Sequence, residues 1–142
     1  MMRLVEEPGP KELEAAFALR YEVFVIGQDV PVELERDGKD DDALHVVLFD
    51  GERAVATGRT IVSGETAKMQ RIAVVADRRG EGLGRVVMDA LERRAKAAGA
   101  AVSRLASQVS AVGFYERLGY RAVGDVFLEA GIEHRWMDKP LR

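Results

Sequence analysis

The first apolar residues of the chain recur at helical spacing. Between Lys11 and Val25 they fall three or four positions apart, which places them on one face of a helix packed against a core: Leu13, Phe17, Tyr21 and Phe24. The following segment, from Gly27 to Asp42, contains a proline and a run of acidic residues: Glu33, Glu35, Asp37, Asp40, Asp41 and Asp42. This composition predicts a solvated loop with one short helical turn rather than a metal site.

Three strands are predicted next. The segment from Leu44 to Phe49 has strand composition, and the Asp50-Gly51 pair after it is a strong two-residue hairpin signal. The strand pattern resumes from Arg53 to Val62, Ser63-Gly64 marks a second turn, and Thr66 to Val75 forms the third strand. The pattern therefore predicts three consecutive antiparallel strands.

The hydrophobic period then changes from two to 3.6 residues. Apolar residues form one face of a helix that ends at Gly99: Leu83, Val87, Ala90, Leu91 and Ala95. Ala101 to Ser107 is predicted as a short buried strand, so residues 68 to 107 form a βαβ unit with parallel strands. A shorter helix follows, and two strands close the chain: Tyr120 to Leu128 and Ile132 to Met137.

The composition narrows the class of protein. With 142 residues, 47% of them hydrophobic, the chain is expected to form a single domain over residues 1–142 with a substantial core. The 24 acidic and 21 basic residues give a net charge of -3, which argues against nucleic acid as a partner. The absence of cysteine excludes disulfides, thiolate metal sites and a cysteine nucleophile. Because no signal peptide or membrane span is recognised, a soluble cytoplasmic protein without a membrane partner is expected.

A glycine-rich turn before the long helix carries the first chemical signal. It reads Arg79-Gly80-Glu81-Gly82-Leu83-Gly84-Arg85. A helix N-terminus offers unpaired N–H groups and the positive end of the macrodipole, and glycines let an anion approach it closely. The neighbouring arginines suit a diphosphate better than a lone carboxylate. We therefore interpret the turn as a pyrophosphate site; the alternative is a tight turn with solvated arginines.

Two nucleotide-binding motifs do not fit this turn. A Walker A loop needs G-K-S/T at the helix start, whereas Gly84 is followed by Arg85 and Val86. A Rossmann fingerprint needs G-x-G-x-x-G after the first strand of a doubly wound sheet, whereas the spacing here is G-x-G-x-G and antiparallel strands precede it. Both classes of site are excluded.

Two motifs carry a family resemblance. Arg79, Gly82 and Gly84 match R/Q-x-x-G-x-G/A, and residues 108–120 match N-x-x-A-x-x-L/F-Y-x-K-x-G-F/Y with Gln108 for asparagine and Arg117 for lysine. With these two motifs the sequence resembles the GCN5-related N-acetyltransferases (GNAT family). The resemblance extends over nearly the whole chain. It is most similar to the ElaA-like branch, through these segments: Leu19-Arg20-x-x-Val23-Phe24-Val25, Ala43-x-His45, Ala106-x-Gln108 and Glu129-Ala130-Gly131-Ile132-x-His134-x-x-Met137.

The resemblance implies an α/β fold with a mixed sheet, in which an antiparallel meander is followed by a βαβ acetyl-CoA-binding unit and a C-terminal hairpin. In that fold the sheet opens between the third meander strand and the strand at Ala101 to Ser107. Acetyl-CoA is the expected co-substrate. The resemblance implies that the pantetheine arm of acetyl-CoA pairs with the backbone of Ile72, Ala73 and Val74. It implies that the pyrophosphate lies on the glycine-rich turn, formed by Arg79, Gly80, Glu81, Gly82, Leu83, Gly84 and Arg85. Gln108, in the second motif, is also expected to contact the co-substrate.

The resemblance places Tyr115 at the family's general-acid position, where it would protonate the thiolate leaving group. The alternative is a core aromatic residue, and a buried ring whose hydroxyl points into a cleft would satisfy both interpretations. A backbone N–H near Val74 would be the oxyanion donor. His134 shares a strand face with Ile132 and Trp136, so it is either a buried core histidine or a general base near neutral pH.

Three residues are candidates for contact with the acceptor: Arg20, Phe24 and Arg71. Arg20 interrupts an apolar helix face, and Arg71 lies within an apolar strand. A buried guanidinium usually has an acidic partner, which is either a carboxylate of the protein or an acidic group of the substrate. The protein carboxylate is the preferred interpretation for Arg20, and both remain open for Arg71.

The expected activity is transfer of an acetyl group to a primary amine of a small molecule in a ternary complex, since no cysteine is present to form an acyl-enzyme. One alternative is a protein N-terminus or a lysine side chain as acceptor. Another is a non-catalytic CoA-binding sensor or interaction module, against which Tyr115 argues. No metal is expected, and the resemblance makes a homodimer an open expectation.

Overall fold

The period-two segments of the chain form strands and the period-3.6 segments form helices, in a computed structural model that describes residues 1–142. Seven strands build one sheet: β1 (Met2–Val5), β2 (Leu44–Asp50), β3 (Arg53–Ser63), β4 (Thr66–Val74), β5 (Val102–Gln108), β6 (Arg121–Glu129) and β7 (Ile132–Pro140). The α-helices are α1 (Pro10–Arg20), α2 (Val32–Glu35), α3 (Leu83–Ala97) and α4 (Val112–Arg117). None of the helices combines the length and the apolar character that crossing a bilayer requires.

The strands are ordered β1-β2-β3-β4-β5-β7-β6, and β4 with β5 is the parallel pair. The strands β2, β3 and β4 are antiparallel neighbours, as the sequence predicts. In the β6–β7 hairpin, Ala130 and Gly131 have φ of 50° and 76°, the left-handed backbone that a tight two-residue turn requires. The predicted meander, βαβ unit and C-terminal hairpin are therefore confirmed, and it is β7 that pairs with β5.

The pairing of β4 with β5 covers only part of both strands. It runs from Thr66 opposite Val102 to Met69 opposite Leu105, although the two strands continue to Val74 and Gln108. On their outer sides, β4 keeps its ladder with β3 and β5 keeps its ladder with β7. The two strands therefore separate beyond Met69, and the backbone groups that face each other across the gap have no ladder partners.

A β-bulge lies where β4 leaves β5. Opposite Gly58 of β3, β4 accommodates one extra residue, and Arg71 in this bulge has a φ of 58°. A Cβ on Gly58 would lie 2.7 Å from Cδ1 of Ile72, so only glycine fits without displacing that side chain. A bulge bends its strand and increases the local twist. The bulge thus directs the end of β4 away from its parallel neighbour.

The helices cover both faces of the sheet. Gly58 and Arg59 are successive residues of β3 and so face opposite sides. Gly58 faces α3, whose apolar side is buried in the main core: Leu83, Val87, Met88, Ala90, Leu91 and Ala95. Arg59 faces the side where α1 packs. Its guanidinium contacts Asp37 and Asp40, which belong to residues 27–42, here called the acidic segment. The amphipathic pattern of α3 is therefore explained by one buried face.

Two features near the N-terminus differ from the prediction. The strand β1 was not predicted; its four residues pair with the edge of β2. The predicted helix to Val25 continues beyond Arg20 as a π-helix (Tyr21–Ile26), whose wider turn changes which side chains face the core. Val23 is buried there, whereas Tyr21 is 48% exposed, so the prediction that Tyr21 packs on the core was wrong.

The acidic segment differs most from its prediction as a solvated loop. It contains α2 and a 3-10 turn (Asp40–Asp42), and the Glu35 side chain is only 2% exposed. Its carboxylates pair with arginines on three other elements: Arg20 with Glu35 and Asp40, Arg59 with Asp37 and Asp40, and Arg71 with Glu35 and Asp37. The prediction was wrong because buried guanidinium groups require buried carboxylates, and this segment supplies them.

Candidate active site

A cavity of about 1000 Å³ opens where β4 and β5 separate. Its walls include the end of β4, the end of β5, the glycine-rich turn, α4, β7 and the segment from the π-helix to α2. The lining is mixed, with 17 hydrophobic residues among 35, so the cavity offers both apolar surface and many polar groups to a ligand. The gap in the sheet is therefore the candidate active site.

The glycine-rich turn forms one end of this cavity. Gly82 has a φ of 80° and open space where a Cβ would lie, and α3 begins at the next residue. Gly84, in the first turn of the helix, has the side chain of Phe114 3.1 Å from the position of a Cβ. Because the first N–H groups of a helix have no partner within it, the turn presents unpaired donors to the cavity. Gly80, Gly82, Leu83 and Gly84 all line it.

The arginines of the turn have different partners. Arg78 donates to Asp50 at 2.7 Å and to Glu81 at 3.0 Å, so two carboxylates compensate its charge. Arg79 lines the cavity and its only hydrogen bond is to the carbonyl of Val74, at 3.3 Å. Arg79 is therefore the available cation at this end. Two further residues predicted to contact the co-substrate lie outside the lining: Glu81 and Arg85.

The backbone of β4 forms one long wall. Ile72, Ala73 and Val74 line the cavity on the side from which β5 has separated. Strand edges without ladder partners are positions where an extended ligand can form main-chain hydrogen bonds. The three residues predicted to pair with a pantetheine arm thus lie on an open strand edge.

Tyr115 lies opposite this wall on α4. Its ring packs edge-to-face against Phe114, with centroids 4.9 Å apart, and against Tyr120 at 5.9 Å. Burial raises the pKa of the Tyr115 hydroxyl to about 12, and no hydrogen bond to the protein offsets that effect. Tyr115 also lines the cavity. The ring is therefore part of the core, and the hydroxyl remains protonated at neutral pH and available to a ligand.

Comparison with known proteins agrees with this arrangement. Residues 8–141 match the family model for an acetyltransferase (GNAT) domain. The uncharacterized N-acetyltransferase YjcF of Bacillus subtilis is 40% identical over 139 residues, which is 97% of this chain and 99% of that protein. The chain belongs to the GNAT acetyltransferase family.

Solved structures of other proteins share the fold. Escherichia coli ElaA superposes with a TM-score of 0.85 at 26% identity, over 98% of each chain. An acyl-CoA N-acyltransferase from Pseudomonas aeruginosa superposes with a TM-score of 0.83 at 28% identity, also over 98% of each chain. The expected mixed α/β GNAT fold and the similarity to the ElaA-like branch are confirmed, and family membership makes the chain an acyltransferase.

His134 of this GNAT domain is a buried histidine on the cavity wall. Its ring stacks on Phe127 with centroids 5.9 Å apart, and its Nδ1–H donates to the carbonyl of Ile132 at 2.7 Å. Since a carbonyl only accepts, this bond leaves Nε2 of the neutral ring without a proton. Nε2 lies 3.7 Å from Oε2 of Glu129. One ring nitrogen of His134 is therefore held by the fold, and both interpretations, a core histidine and a general base, stay open.

A pair of glutamines bridges the cavity. Nε2 of Gln108, at the end of β5, donates to Oε1 of Gln28 at 2.8 Å. Gln108 also pairs across the ladder with His134. Phe24 of the π-helix lines the same part of the cavity. Gln108 and Phe24 thus both line the cavity, and the bond from Gln108 to Gln28 connects the end of β5 to the segment that follows the π-helix.

Arg20 lies outside the cavity lining. Its side chain is 2% exposed, its Nε donates to Glu35 at 2.7 Å, and its Nη1 donates to Asp40 at 2.7 Å. The preferred interpretation, a protein carboxylate as partner, therefore holds. The assignment of Arg20 as a substrate contact is not supported, because its hydrogen-bonding groups already face carboxylates within the protein.

Arg71 differs from Arg20 because it does line the cavity. It contacts the carboxylates of Glu35 and Asp37, each at 3.3 Å, and donates to the backbone carbonyl of Leu34 at 3.1 Å. Burial lowers the pKa of its guanidinium from the usual value, although the group remains a cation. Arg71 thus holds the α2 segment against the β4 bulge, and its charge is compensated within the protein.

Sequence reasoning missed several polar residues of the cavity wall. Lys68 and Arg104 are neighbours in the parallel register, and Trp136 lies on the adjacent row of β7. Lys39 of the acidic segment also lines the cavity. Alternation along β5 could have placed Arg104 on the same face as the predicted Gln108, four residues later, whereas the bulge at Arg71 interrupts the alternation between Lys68 and Ile72. The register that brings the two strands together could not be inferred from one sequence.

Proposed function

We propose that this protein transfers an acetyl group from acetyl-CoA to a primary amine of a small molecule, by direct attack in a ternary complex. Three features of one cavity support the proposal together: an open strand edge on β4, a glycine-rich helix start, and the protonated hydroxyl of Tyr115. The family membership supports acetyl-CoA as the donor. No cysteine is present to carry an acyl-enzyme intermediate.

The donor would occupy the gap between β4 and β5. The N–H groups at the start of α3, near Gly82 and Gly84, would hold the pyrophosphate, and Arg79 would add a cation without a competing carboxylate. The backbone of Ile72, Ala73 and Val74 would pair with the amide groups of the pantetheine arm. This arrangement brings the thioester towards Tyr115 on one side and Gln108 on the other.

The chemistry requires a neutral amine, an oxyanion donor and a proton for the thiolate. Nε2 of His134 would accept the proton of the incoming ammonium, directly or through a water molecule. The amine lone pair then forms a bond to the thioester carbonyl carbon, while a backbone N–H near Val74 donates to the developing oxyanion. As the carbon–sulfur bond breaks, Tyr115 donates its proton to the CoA thiolate. The positively charged amide nitrogen loses its extra proton to the Tyr115 phenolate, directly or through water, and solvent takes the proton held by His134, so one proton is released overall.

The shape of the acceptor side favours a small molecule. The α2 segment near Leu34 and the β6–β7 turn at Glu129 and Ala130 both line the cavity, on either side of β5. An acceptor placed between these two segments would have protein on both sides, which favours a small molecule over a folded protein. The β6–β7 hairpin and the acidic segment therefore restrict the size of the acceptor.

The test is release of CoA thiol from acetyl-CoA across a panel of primary amines. Tyr115→Phe should lower kcat by about a hundredfold, because a positioned general acid contributes at least that factor. Binding of acetyl-CoA by the same variant, measured by calorimetry, should stay within about threefold of wild type, because the aromatic ring remains. Tyr21→Phe is the matched control, since it removes the same hydroxyl from an exposed residue outside the cavity.

Two outcomes would contradict the proposal. Measurable binding of acetyl-CoA with no thiol release for any amine would favour a non-catalytic CoA-binding module. Thiol release only with peptides that have a free N-terminus or a lysine side chain would move the acceptor to the protein class. An unchanged kcat in Tyr115→Phe would remove Tyr115 from the mechanism but leave the activity.

A further inference from the structure

The positively charged side chains of the cavity wall differ in whether a carboxylate of the protein compensates their charge. Arg71 contacts Glu35 and Asp37, and Arg104 forms a two-point ion pair with Asp138 at 2.7 and 2.8 Å. Lys68 also lines the cavity, but it forms no ion pair or hydrogen bond with the protein; its Nζ lies 5.9 Å from the centre of the Trp136 ring. Lys68 is therefore an uncompensated cation on the acceptor side.

The position of Lys68 is fixed by the sheet register. Lys68 of β4 is next to Arg104 of β5, and Arg104 is next to Asp138 of β7. The next row towards the thioester contains Ala106 and Trp136, which supply an apolar surface. The exposed lysine side chain thus ends near the indole ring, at the wall of the cavity. Its stem is held by a central strand rather than by a flexible loop.

The opposite end of the same face has the opposite charge. Gln108 and His134 form a row four residues from the row of Arg104 and Asp138, which corresponds to about 13 Å along the strands. Glu129 lies beside His134 at this end, with a side chain that is 59% exposed. A carboxylate near the base attracts an ammonium group, while Lys68 at the far end attracts an anion. The charges at the two ends of this face are therefore complementary to those of an extended zwitterion.

We propose that the acceptor is an amine that carries a carboxylate at the far end of an extended apolar chain, and that Lys68 binds this carboxylate. The inference rests on the proposed acetyl transfer and adds a substrate class to it. The amine would lie beside His134 and Gln108, the chain would lie on Trp136, and the carboxylate would lie beside Lys68 and Arg104. Arg20 and Arg71 do not contribute to this charge difference, because carboxylates of the acidic segment compensate their charges.

The test compares acceptors that differ only in charge. The probes are ω-aminooctanoate and its neutral amide, ω-aminooctanamide, with γ-aminobutyrate and its amide as a pair too short to span the two rows. The wild type should acetylate ω-aminooctanoate with a kcat/KM about fivefold higher than that of the amide, the factor expected for one partly solvated ion pair. The preference should be absent in the short pair and should decrease as salt is raised from about 0.05 to 0.5 M.

Variants assign the preference to Lys68. Lys68→Gln should bring the ratio for the long pair close to one, whereas Lys68→Arg should retain most of it because the charge is kept. Lys39→Gln tests the other lysine of the cavity wall, which also lacks an ion pair with the protein. Lys11→Gln, on the exposed surface of α1, is the control outside the cavity and should leave the ratio unchanged.

The outcomes separate this inference from the proposed function. Equal kcat/KM for the long acid and its amide would refute the carboxylate-binding role and leave acetyl transfer intact. A preference that survives Lys68→Gln but is lost in Lys39→Gln would refute the assignment to Lys68. If no probe is acetylated, the Kd values of both long probes are measured on the protein saturated with CoA. Equal Kd values, or no binding of either probe, would also overturn the inference.

Discussion

Removing the guanidinium of Arg20 tests whether the buried ion pairs stabilise the fold rather than bind substrate. Arg20 donates to Glu35 and Asp40, each at 2.7 Å, and neither side chain of the Arg20–Glu35 pair is more than 2% exposed. In Arg20→Met, Asp40 keeps Arg59 at 2.8 Å, but Glu35 keeps only Arg71 at 3.3 Å. A buried carboxylate is then left with one longer contact in place of two.

The loss of the Arg20 contact to Glu35 determines how far the free energy of unfolding should decrease. Removing one partner of a buried ion pair costs about 3–5 kcal/mol, because the remaining charge stays desolvated. Unfolding entropy for a domain of this length is roughly 0.3 kcal/mol per kelvin, so Tm should fall by about 10–17 °C. Arg142→Gln provides the matched control, since Arg142 and Glu65 are 61% and 76% exposed; it should cost less than about 0.5 kcal/mol.

Urea unfolding and differential scanning calorimetry measure both changes. A double-mutant cycle with Glu35→Gln should give a coupling energy above about 1 kcal/mol with Arg20→Met, because Arg20 donates directly to the Glu35 carboxylate. A loss below about 1 kcal/mol in Arg20→Met, together with a raised KM for the acceptor, would refute the structural role. That result would return Arg20 to the substrate contacts.

Three other expectations concern the donor end, the base and acid stability. Arg79→Gln should raise the Kd of acetyl-CoA about tenfold in calorimetry, since it removes one charge-assisted hydrogen bond; an unchanged Kd would place the pyrophosphate elsewhere. His134→Gln should lower kcat and remove one ionisation from its pH profile, and an unchanged profile would exclude His134 as the base. Hydrogen bonds from Arg59 hold the pKa of the Asp37 carboxyl well below its usual range. The stability from that pair is therefore fully present above the unfolded-state pKa of about 4 and is lost as pH falls towards the lower folded-state pKa, so Asp37→Asn should show a shallower loss in acid unfolding.

The elements that sequence predicted correctly depend on local patterns. The β2–β4 meander follows from alternation and from the Asp50-Gly51 turn, and α3 follows from a 3.6-residue period bounded by Gly82 and Gly99. The cavity contacts of Gly82 and Tyr115 were also predictable, because each belongs to a short motif within one turn or helix. Information within about ten residues was sufficient for these features.

The acidic segment shows why other features were not predicted. Its ion pairs join residues that are 15 to 36 positions apart, such as Arg20 with Glu35 and Arg71 with Glu35. Viewed along the chain, Glu35 and Asp37 are only part of a polar run, and Arg59 is one charge within a strand. Which charges are buried depends on the packing of α1 and α2 against β3 and β4. The phase error at Tyr21 has a similar origin, since periodicity does not predict where a helix widens to a π-helix.

The open edges of β4 and β5 have a consequence for how such an enzyme can change. Main-chain groups are the same for every residue type, so a ligand that pairs with the backbone beyond Met69 is recognised with little dependence on the side chains there. Lys68, Trp136 and Glu129, in contrast, would recognise an acceptor through side chains alone. Mutation can therefore alter the choice of acceptor while the donor site persists, which gives one scaffold access to many amines.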